Sequence, residues 1–177
     1  VNHDQFIMSF QSGAYRADTL KTGSTSTRNV SVDLSNVDDS IQPGEKFQES
    51  ETSVDLTQAD IIVSIGRGIG KEENLQIVRD LAAAIGGEIA SSRPVVDSGW
   101  LEPYHQVGSS GQTVAPKLYL ALGISGAIQH VVGMKGSKNI VVINKDVNAP
   151  IFEIADYGVV GDLFEIIPKL ITALQSN

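Results

Sequence analysis

The sequence predicts an α/β fold in which a parallel sheet is flanked by helices, with a less regular β extension at the N-terminus. Short apolar runs at residues 60–65, 118–122 and 140–143 each end at a glycine or an asparagine, which is typical of buried parallel strands. In residues 75–85 and 163–174, apolar positions repeat at three- and four-residue spacing, which predicts helices with one buried face. Strand and helix signals therefore alternate along most of the chain.

The first strand and helix form the most regular part of this pattern. The strand at residues 60–65 runs into a glycine-rich turn at 66–70, and the helix after it ends at Gly86-Gly87, a typical C-cap. A shorter strand is expected to end at Ile89-Ala90. The apolar face of the helix consists of Leu75, Val78, Leu81, Ala82 and Ile85.

An arginine follows this shorter strand. Residues 91–94 read Ser-Ser-Arg-Pro, and Pro94 is expected to hold Arg93 in an extended backbone conformation. An arginine fixed at the end of a strand is a candidate for stabilising negative charge on a ligand. A solvated surface arginine is the alternative.

Residues 106–144 are expected to contain a strand, a tight turn, a short helix and a second strand. A glycine-serine loop precedes the first strand, and the turn at 123–126 leads into the helix. Ser125 stands where an N-cap is expected, and Gly126 lacks the side chain that would block a ligand. Free N–H groups at a helix start suit phosphate. The turn therefore predicts either a cradle for a phosphorylated, planar cofactor or simply a tight turn in the core.

The C-terminal part should contain a brief strand at 151–152, a turn at 156–158 and a last helix that opens at Gly161-Asp162. Pro168 falls in an early turn of that helix and is expected to kink it.

The N-terminal third gives weaker signals. Residues 6–10 and 30–34 are predicted strands, and residues 37–51 are either a solvated loop or an edge hairpin. We expect residues 1–55 to be strands and loops of the same fragment, and residues 56–177 to form the main domain.

Composition excludes several classes of function. The formal net charge of −8 over 177 residues argues against nucleic acid and against an anionic membrane surface as partners. No run of about 20 apolar residues is present, so no membrane insertion is expected. The chain has no cysteine, hence no thiolate nucleophile, and we expect no metal site. Its first residue is Val1, which indicates a piece of a longer protein.

Three turns share one edge of the predicted sheet. Residues 66–70, 123–126 and 144–146 each follow an apolar strand, and the carboxyl ends of parallel strands line the edge where ligands bind. The first turn is not a complete G-x-G-x-x-G fingerprint, so it is a weak signal by itself. Together the turns predict a ligand site.

A longer set of motifs resembles one family. Residues 114–130 read VAPKLYLALGISGAIQH, and they are supported by 143–146 (INKD), 149–152 (APIF), 155–158 (ADYG), 160–162 (VGD), 92–100 (SRPVVDSGW) and 66–68 (GRG). These motifs resemble the C-terminal FAD-binding domain of the electron transfer flavoprotein α subunit. The resemblance covers about residues 56–174 and implies a Rossmann-like domain that binds FAD.

The resemblance also implies which residues surround the cofactor. Arg93 would lie over the flavin ring, and His130 would approach its C2 carbonyl. One departure is that Ser109-Ser110 stands where the family often has Gln-Thr, which loses the β-branch that fixes a threonine rotamer. The implied cofactor-binding residues are Arg67, Ser92, Arg93, Gln106, Val107, Gly108, Ser109, Ser110, Ser125, Gly126, Ala127, Ile128, Gln129, His130, Asn144, Asp162 and Leu163.

By the same resemblance the chain is an electron carrier and not an enzyme, since it offers no convincing acid–base pair or nucleophile. The implied partners are the electron transfer flavoprotein β subunit in a heterodimer, acyl-CoA or other flavin dehydrogenases as donors, as in fatty acid β-oxidation, and a quinone oxidoreductase as acceptor. The implied compartment is the cytoplasm, or the mitochondrial matrix in a eukaryote. The alternatives are an NAD-binding module and a non-redox interaction domain on the same fold.

Overall fold

The computed structural model describes residues 8–9, 21–24, 26–33, 44 and 54–176. The chain divides into two compact units, of which one is Ala17–Ser53 and the other combines residues 1–16 with 54–177. All helices and strands given below lie in residues 54–176 of the larger unit.

A five-stranded parallel sheet forms the centre of the larger unit. Its strands are β1 (Ile61–Ile65), β2 (Glu88–Ser91), β3 (Leu118–Leu122), β4 (Ile140–Asn144) and β5 (Tyr157–Val160). They lie in the order β2-β1-β3-β4-β5, and each neighbouring pair is parallel. The order reverses between β1 and β3, and ligands of such sheets bind in the crevice above that point.

Helices flank this sheet, which confirms the predicted α/β class. They are α1 (Leu75–Ile85), α2 (Arg93–Asp97), α3 (Ile128–Met134) and α4 (Leu163–Gln175). Successive strand residues point to opposite faces of a sheet, and two cores result. Val63, Ile65, Leu120 and Leu122 pack with the apolar residues of α1 and α4. Ile62, Tyr119, Ala121 and Val142 pack with Met134 of α3 and with Leu56.

Two predictions for the C-terminal part are wrong. Residues 151–152 lie in a 3₁₀ turn, Pro150–Ile154, and the edge strand β5 begins at Tyr157, inside the turn predicted at 156–158. The Phe152 N–H donates to Ala149 O at 3.0 Å, which closes the 3₁₀ turn. All four β5 residues are exposed, so the strand lacks the burial that makes β1, β3 and β4 recognisable. Helix α4 continues through Pro168 to Gln175.

The predicted strand at residues 30–34 is also wrong where the structure describes it. Residues 30–33 form no strand, and Val30 and Val32 are 65% and 67% exposed. The alternating pattern there buries neither valine. Of the predicted strand at 6–10 and the loop or hairpin at 37–51, only residues 8–9 and 44 are described, and they lie in no strand. The remainder of both predictions lies outside the described residues.

No helix found in the described part of the chain has both the length and the apolar character needed to cross a membrane.

Candidate functional site

Three loops are joined at the carboxyl edge of β1, β3 and β4. The Gly66 N–H donates to Leu122 O at 2.9 Å, the Gly68 N–H to Gly123 O at 3.0 Å, and the Gly123 N–H to Ile143 O at 2.9 Å. A Cβ atom on Gly66 would lie 2.3 Å from the Gly123 oxygen, so only glycine allows this close backbone approach. We call this joined main chain the floor of the site.

The turn between β3 and α3 differs from the prediction in two respects. Ala127, and not Ser125, is the N-cap of α3. Gly126 has a φ of +91°, and a Cβ atom there would lie 2.3 Å from the backbone nitrogen of Ile151. The Ile151 N–H donates to Ser125 O at 3.1 Å. Gly126 therefore makes room for the protein's own main chain, and not for a ligand.

A cavity of about 430 Å³ lies beside this turn. The resemblance places Ser92 and Arg93, residues 106–110 and residues 125–130 around the flavin, and all of these except Gly126 and Ile128 line the cavity. Pro94 and Ile124 line it as well, although neither is among the implied cofactor-binding residues. Ile128 is 76% exposed on α3. The structure thus brings residues from three separate segments, 92–94, 106–110 and 124–130, to one cavity.

A crevice continues from this cavity along the floor. It has a volume of about 350 Å³ and shares Ser92, Pro94 and Ser125 with the cavity. Arg67 and Asn144 line this crevice, and a narrow extension of about 70 Å³ reaches Asp162 and Leu163. Apart from Gly126 and Ile128, the predicted residues therefore line one path of adjoining spaces along the carboxyl edge of the sheet.

One residue on this path, Lys145, is absent from the predicted set. It lines both the crevice and its extension, directly after the last residue of β4. The signal was the Ile-Asn-Lys-Asp motif at 143–146, which places a cation at a strand end. Among the described residues, neither Lys145 nor Arg67 forms an ion pair. The Lys145 ammonium and the Arg67 guanidinium are therefore available to bind an anion.

Arg93 does not have the predicted backbone. It is the first residue of α2, and the extended residue is Ser92, with φ −81° and ψ 156°. Proline is tolerated in the first turn of a helix, so Pro94 does not force Arg93 out of the helix. The Arg93 Nε atom lies 3.4 Å from Asp97 Oδ2, one turn further on, and both side chains are largely exposed. The guanidinium group lies at the rim of the cavity.

Amide side chains fix two parts of the site. The Gln106 Nε2 atom donates to Ser110 Oγ at 2.9 Å, which restrains a serine rotamer that has no β-branch and leaves its O–H free to donate. The Asn144 Nδ2 atom donates to Ile124 O at 2.8 Å, and Asn144 Oδ1 accepts from the Asp146 N–H at 3.0 Å. Asn144 thus holds the loop after β4 to the turn after β3.

His130 is a buried wall of the cavity. It is only 6% exposed, and its Nε2 atom lies 3.0 Å from the Tyr119 hydroxyl. The Nδ1 atom has no partner at direct hydrogen-bonding geometry among the described residues. Burial lowers the pKa of His130 to about 4, and a smaller effect of the Val107 backbone opposes this shift. His130 is therefore neutral at pH 7.

A second concave surface has different chemistry. It is an open groove of about 620 Å³ between α1 and α4, lined by Ile77, Ala83, Ala84, Pro168 and Ile171 together with Asp80 and Gln175. It has no cationic side chain in its lining, and it lies away from the carboxyl edge of the sheet. We therefore place the functional site at the floor.

Comparison with known proteins agrees with the motif resemblance. Residues 55–135 match the family described as the electron transfer flavoprotein FAD-binding domain. The electron transfer flavoprotein subunit alpha of Thermoanaerobacterium thermosaccharolyticum is 55% identical over 128 residues, which cover 72% of this chain and 39% of that protein. The chain belongs to the electron transfer flavoprotein alpha family. This membership gives FAD as the cofactor, and nothing supports the NAD-binding alternative.

Other known proteins match a similar share of the chain. The mitochondrial electron transfer flavoprotein subunit alpha of Arabidopsis thaliana is 46% identical over 151 residues, covering 82% of this chain and 41% of that protein. The acryloyl-CoA reductase electron transfer subunit beta of Anaerotignum propionicum is 53% identical over 133 residues, covering 73% and 36%. The chain thus spans about two fifths of the length of these relatives.

Features of the structure fit FAD as the family's cofactor. The cavity volume lies in the usual range for cofactor sites, and the crevice extends it into a path suited to an elongated dinucleotide. No backbone N–H from Ser125 to Gln129 donates to a backbone carbonyl within residues 54–176, so acceptors such as phosphate oxygens can be satisfied there. The buried Nδ1 atom of His130 also lacks a partner at direct hydrogen-bonding geometry among the residues that the structure describes.

Asp162 has a structural role that must be separated from any ligand contact. It is the N-cap of α4, and its Oδ1 atom accepts from the Phe164 N–H at 2.8 Å. We expect Asp162→Ala to lower the free energy of unfolding by about 1 kcal/mol. Asp162→Asn, which keeps a capping oxygen, should stay within about 0.5 kcal/mol of the parent chain. Urea unfolding measures both, and equal losses in the two variants would contradict the capping role.

Proposed function

We propose that residues 56–177 form the FAD-binding domain of an electron carrier, with FAD lying along the cavity and the crevice above the floor. The observation that carries this proposal is the continuity of the two spaces. The cavity around His130 adjoins the crevice that Arg67 and Lys145 line, and the two spaces share Ser92, Pro94 and Ser125. A dinucleotide needs both environments, since its ring is apolar and planar and its phosphates are anionic.

The residues along the path divide this work. Bound FAD supplies the redox chemistry, and the protein supplies binding, orientation and electrostatics. Arg67 and Lys145 would offset the charge of the phosphates, while Ser110 and the His130 ring offer neutral polar groups in the cavity. The floor consists largely of glycine main chain, and the close packing of Gly66, Gly68 and Gly123 against one another fixes its shape.

The state of His130 favours a carrier over an enzyme. A general base works best when its pKa lies near the working pH, whereas burial lowers the pKa of His130 to about 4. Its Nε2 atom is also engaged by Tyr119. His130 is therefore suited to hold a neutral hydrogen-bonding position, and not to take a proton from a substrate.

An exposed apolar strip on α3 supports a protein partner near the cavity. Ile128 and Val132, one turn apart, are 76% and 42% exposed. We infer that a β subunit covers this strip in a heterodimer. Donors would be acyl-CoA or other flavin dehydrogenases, as in fatty acid β-oxidation, and a quinone oxidoreductase would be the acceptor. The cytoplasm, or the mitochondrial matrix in a eukaryote, would be the compartment.

Titration with FAD tests the proposed site. Visible absorbance of the chain after FAD addition and gel filtration should report a bound flavin. FMN, which lacks the adenylate half, should bind more weakly because it leaves the crevice empty. Arg67→Ala should raise the Kd for FAD about 10-fold, or ~1.4 kcal/mol, because a charge-assisted contact is lost.

Arg79→Ala is the matched control, since Arg79 is exposed on α1 and lines neither the cavity nor the crevice. It removes the same charge and should leave the Kd unchanged. Failure of the parent chain to take up FAD would overturn the proposed function. Equal effects of the two arginine substitutions would overturn the placement of the phosphates.

A further inference from the structure

Tyr119 lies directly beneath His130 in the core. It is the second residue of β3 and has no exposed surface. Its hydroxyl lies 3.0 Å from His130 Nε2, and the two rings meet edge to face with centroids 6.1 Å apart. Tyr119 lines neither the cavity nor the crevice, so it contacts His130 from within the core.

The chemistry of the buried hydroxyl sets the direction of this hydrogen bond. Burial raises the pKa of the Tyr119 phenol far above its usual value, with a smaller opposing effect of the Ser64 side chain, so the phenol keeps its proton. At direct hydrogen-bonding geometry its partner among the described residues is His130 Nε2. If Nε2 were the donor, the phenol would have to donate to the buried Ser64 hydroxyl, which forms no hydrogen bond at direct geometry with the described residues, so donation to Nε2 is the favoured arrangement.

The direction of the bond determines where the imidazole carries its hydrogen. A neutral imidazole has one donor nitrogen and one acceptor nitrogen. When Nε2 accepts from the phenol, the hydrogen must be on Nδ1. The Nδ1 atom has no partner at direct hydrogen-bonding geometry among the described residues, although the Val107 backbone lies close enough to raise the pKa of the ring slightly. An N–H group is thereby left in need of an acceptor in the wall of the cavity.

We propose that Tyr119 is a positioning residue that holds His130 in the Nδ1–H tautomer, so that the cavity wall offers a hydrogen-bond donor to a ligand acceptor. The tautomer follows from contacts within the chain alone. The effect on ligand binding rests in addition on the proposed function. The two parts can therefore be tested separately.

The tautomer is tested by nitrogen-15 NMR of the ligand-free chain at pH 7. The spectrum should show one protonated Nδ1 and one unprotonated Nε2 for His130. Tyr119→Phe keeps the ring and removes only the hydroxyl, and it should give a mixture of both tautomers. Tyr157→Phe removes a hydroxyl from a side chain that is 67% exposed on β5, and it should leave the His130 signals unchanged.

Two NMR outcomes would overturn the proposal. One is a parent chain in which His130 carries its hydrogen on Nε2. The other is a Tyr119→Phe variant with the same single tautomer as the parent. The first measurement needs no variant, so the proposal can be refuted even if Tyr119→Phe does not fold.

A double-mutant cycle with FAD tests the consequence for binding. Tyr119→Phe should raise the Kd for FAD about 2- to 10-fold, as expected for loss of one neutral hydrogen bond. Added to His130→Ala, the same substitution should have no further effect, because Tyr119 acts through His130. An equal effect in both backgrounds would overturn the positioning role. If the parent chain binds no FAD, the proposed function fails while the NMR result on the tautomer stands.

Discussion

Lowering the pH from 7 to 4 should remove about 3 kcal/mol from the free energy of unfolding through His130 alone. Burial lowers the pKa of His130 from 6.5 to about 4 in the folded chain. Between these values the unfolded chain binds a proton that the folded chain does not bind. The difference in bound protons is therefore positive, and stability falls as the pH falls through this window.

A non-titrating variant isolates this effect. The carboxylates that protonate in the same range contribute to both proteins and largely cancel in the difference. His130→Gln should have a flatter stability profile than the parent chain between pH 6.5 and 4, measured by urea unfolding at each pH. Parallel profiles would contradict the prediction. Direct NMR titration of His130, with an expected midpoint near pH 4, gives a second check if the variant folds poorly.

Gly126→Ala should lower the free energy of unfolding by about 3 kcal/mol or more. A side chain at positive φ costs about 1–2 kcal/mol, and Gly126 has a φ of +91°. The added Cβ would also lie 2.3 Å from the Ile151 nitrogen and 2.6 Å from its Cα. The backbone of Ile151 cannot change rotamer as a side chain can, so the two loops would have to separate. Forced repacking of this kind costs about 1–3 kcal/mol.

Gly86→Ala separates the two causes. Gly86 caps α1 with a φ of +64°, and a Cβ there would meet nothing within 4 Å. Gly86→Ala should therefore lower the free energy of unfolding by about 1–2 kcal/mol, which is the cost of the positive φ alone without any steric overlap. Urea unfolding of both variants should show a clearly larger loss for Gly126→Ala. Equal losses would mean that the contact with Ile151 is not a constraint.

Much of the fold is predictable because burial and periodicity coincide. Strands β1, β3 and β4 are central, so nearly all their residues are apolar, and α1 shows its buried face as a helical repeat. The edge strand β5 lacks such a recognisable sequence pattern because its residues are exposed on both faces. The Ser125 cap fails for a different reason. The local residues favour it, but the conformation is set by Ile151, which is distant in sequence.

The site is predictable at the level of loops and less so at the level of atoms. The rule that parallel strands place their carboxyl ends at one edge is enough to bring Arg67, Ser125 and Asn144 together. It says nothing about side-chain partners. The contact between Tyr119 and His130 joins a strand interior to a short helix, and both residues read as ordinary core or cavity positions when taken alone.

The floor is made of main chain, and this has a consequence for how the domain can vary. Gly66, Gly68 and Gly123 must remain glycine for the loops to approach one another, but the walls of the cavity can change identity while the floor keeps its shape. Serines 109 and 110 illustrate such a change in a wall. The redox potential of a bound flavin could therefore diverge between related domains while the backbone that supports it stays the same.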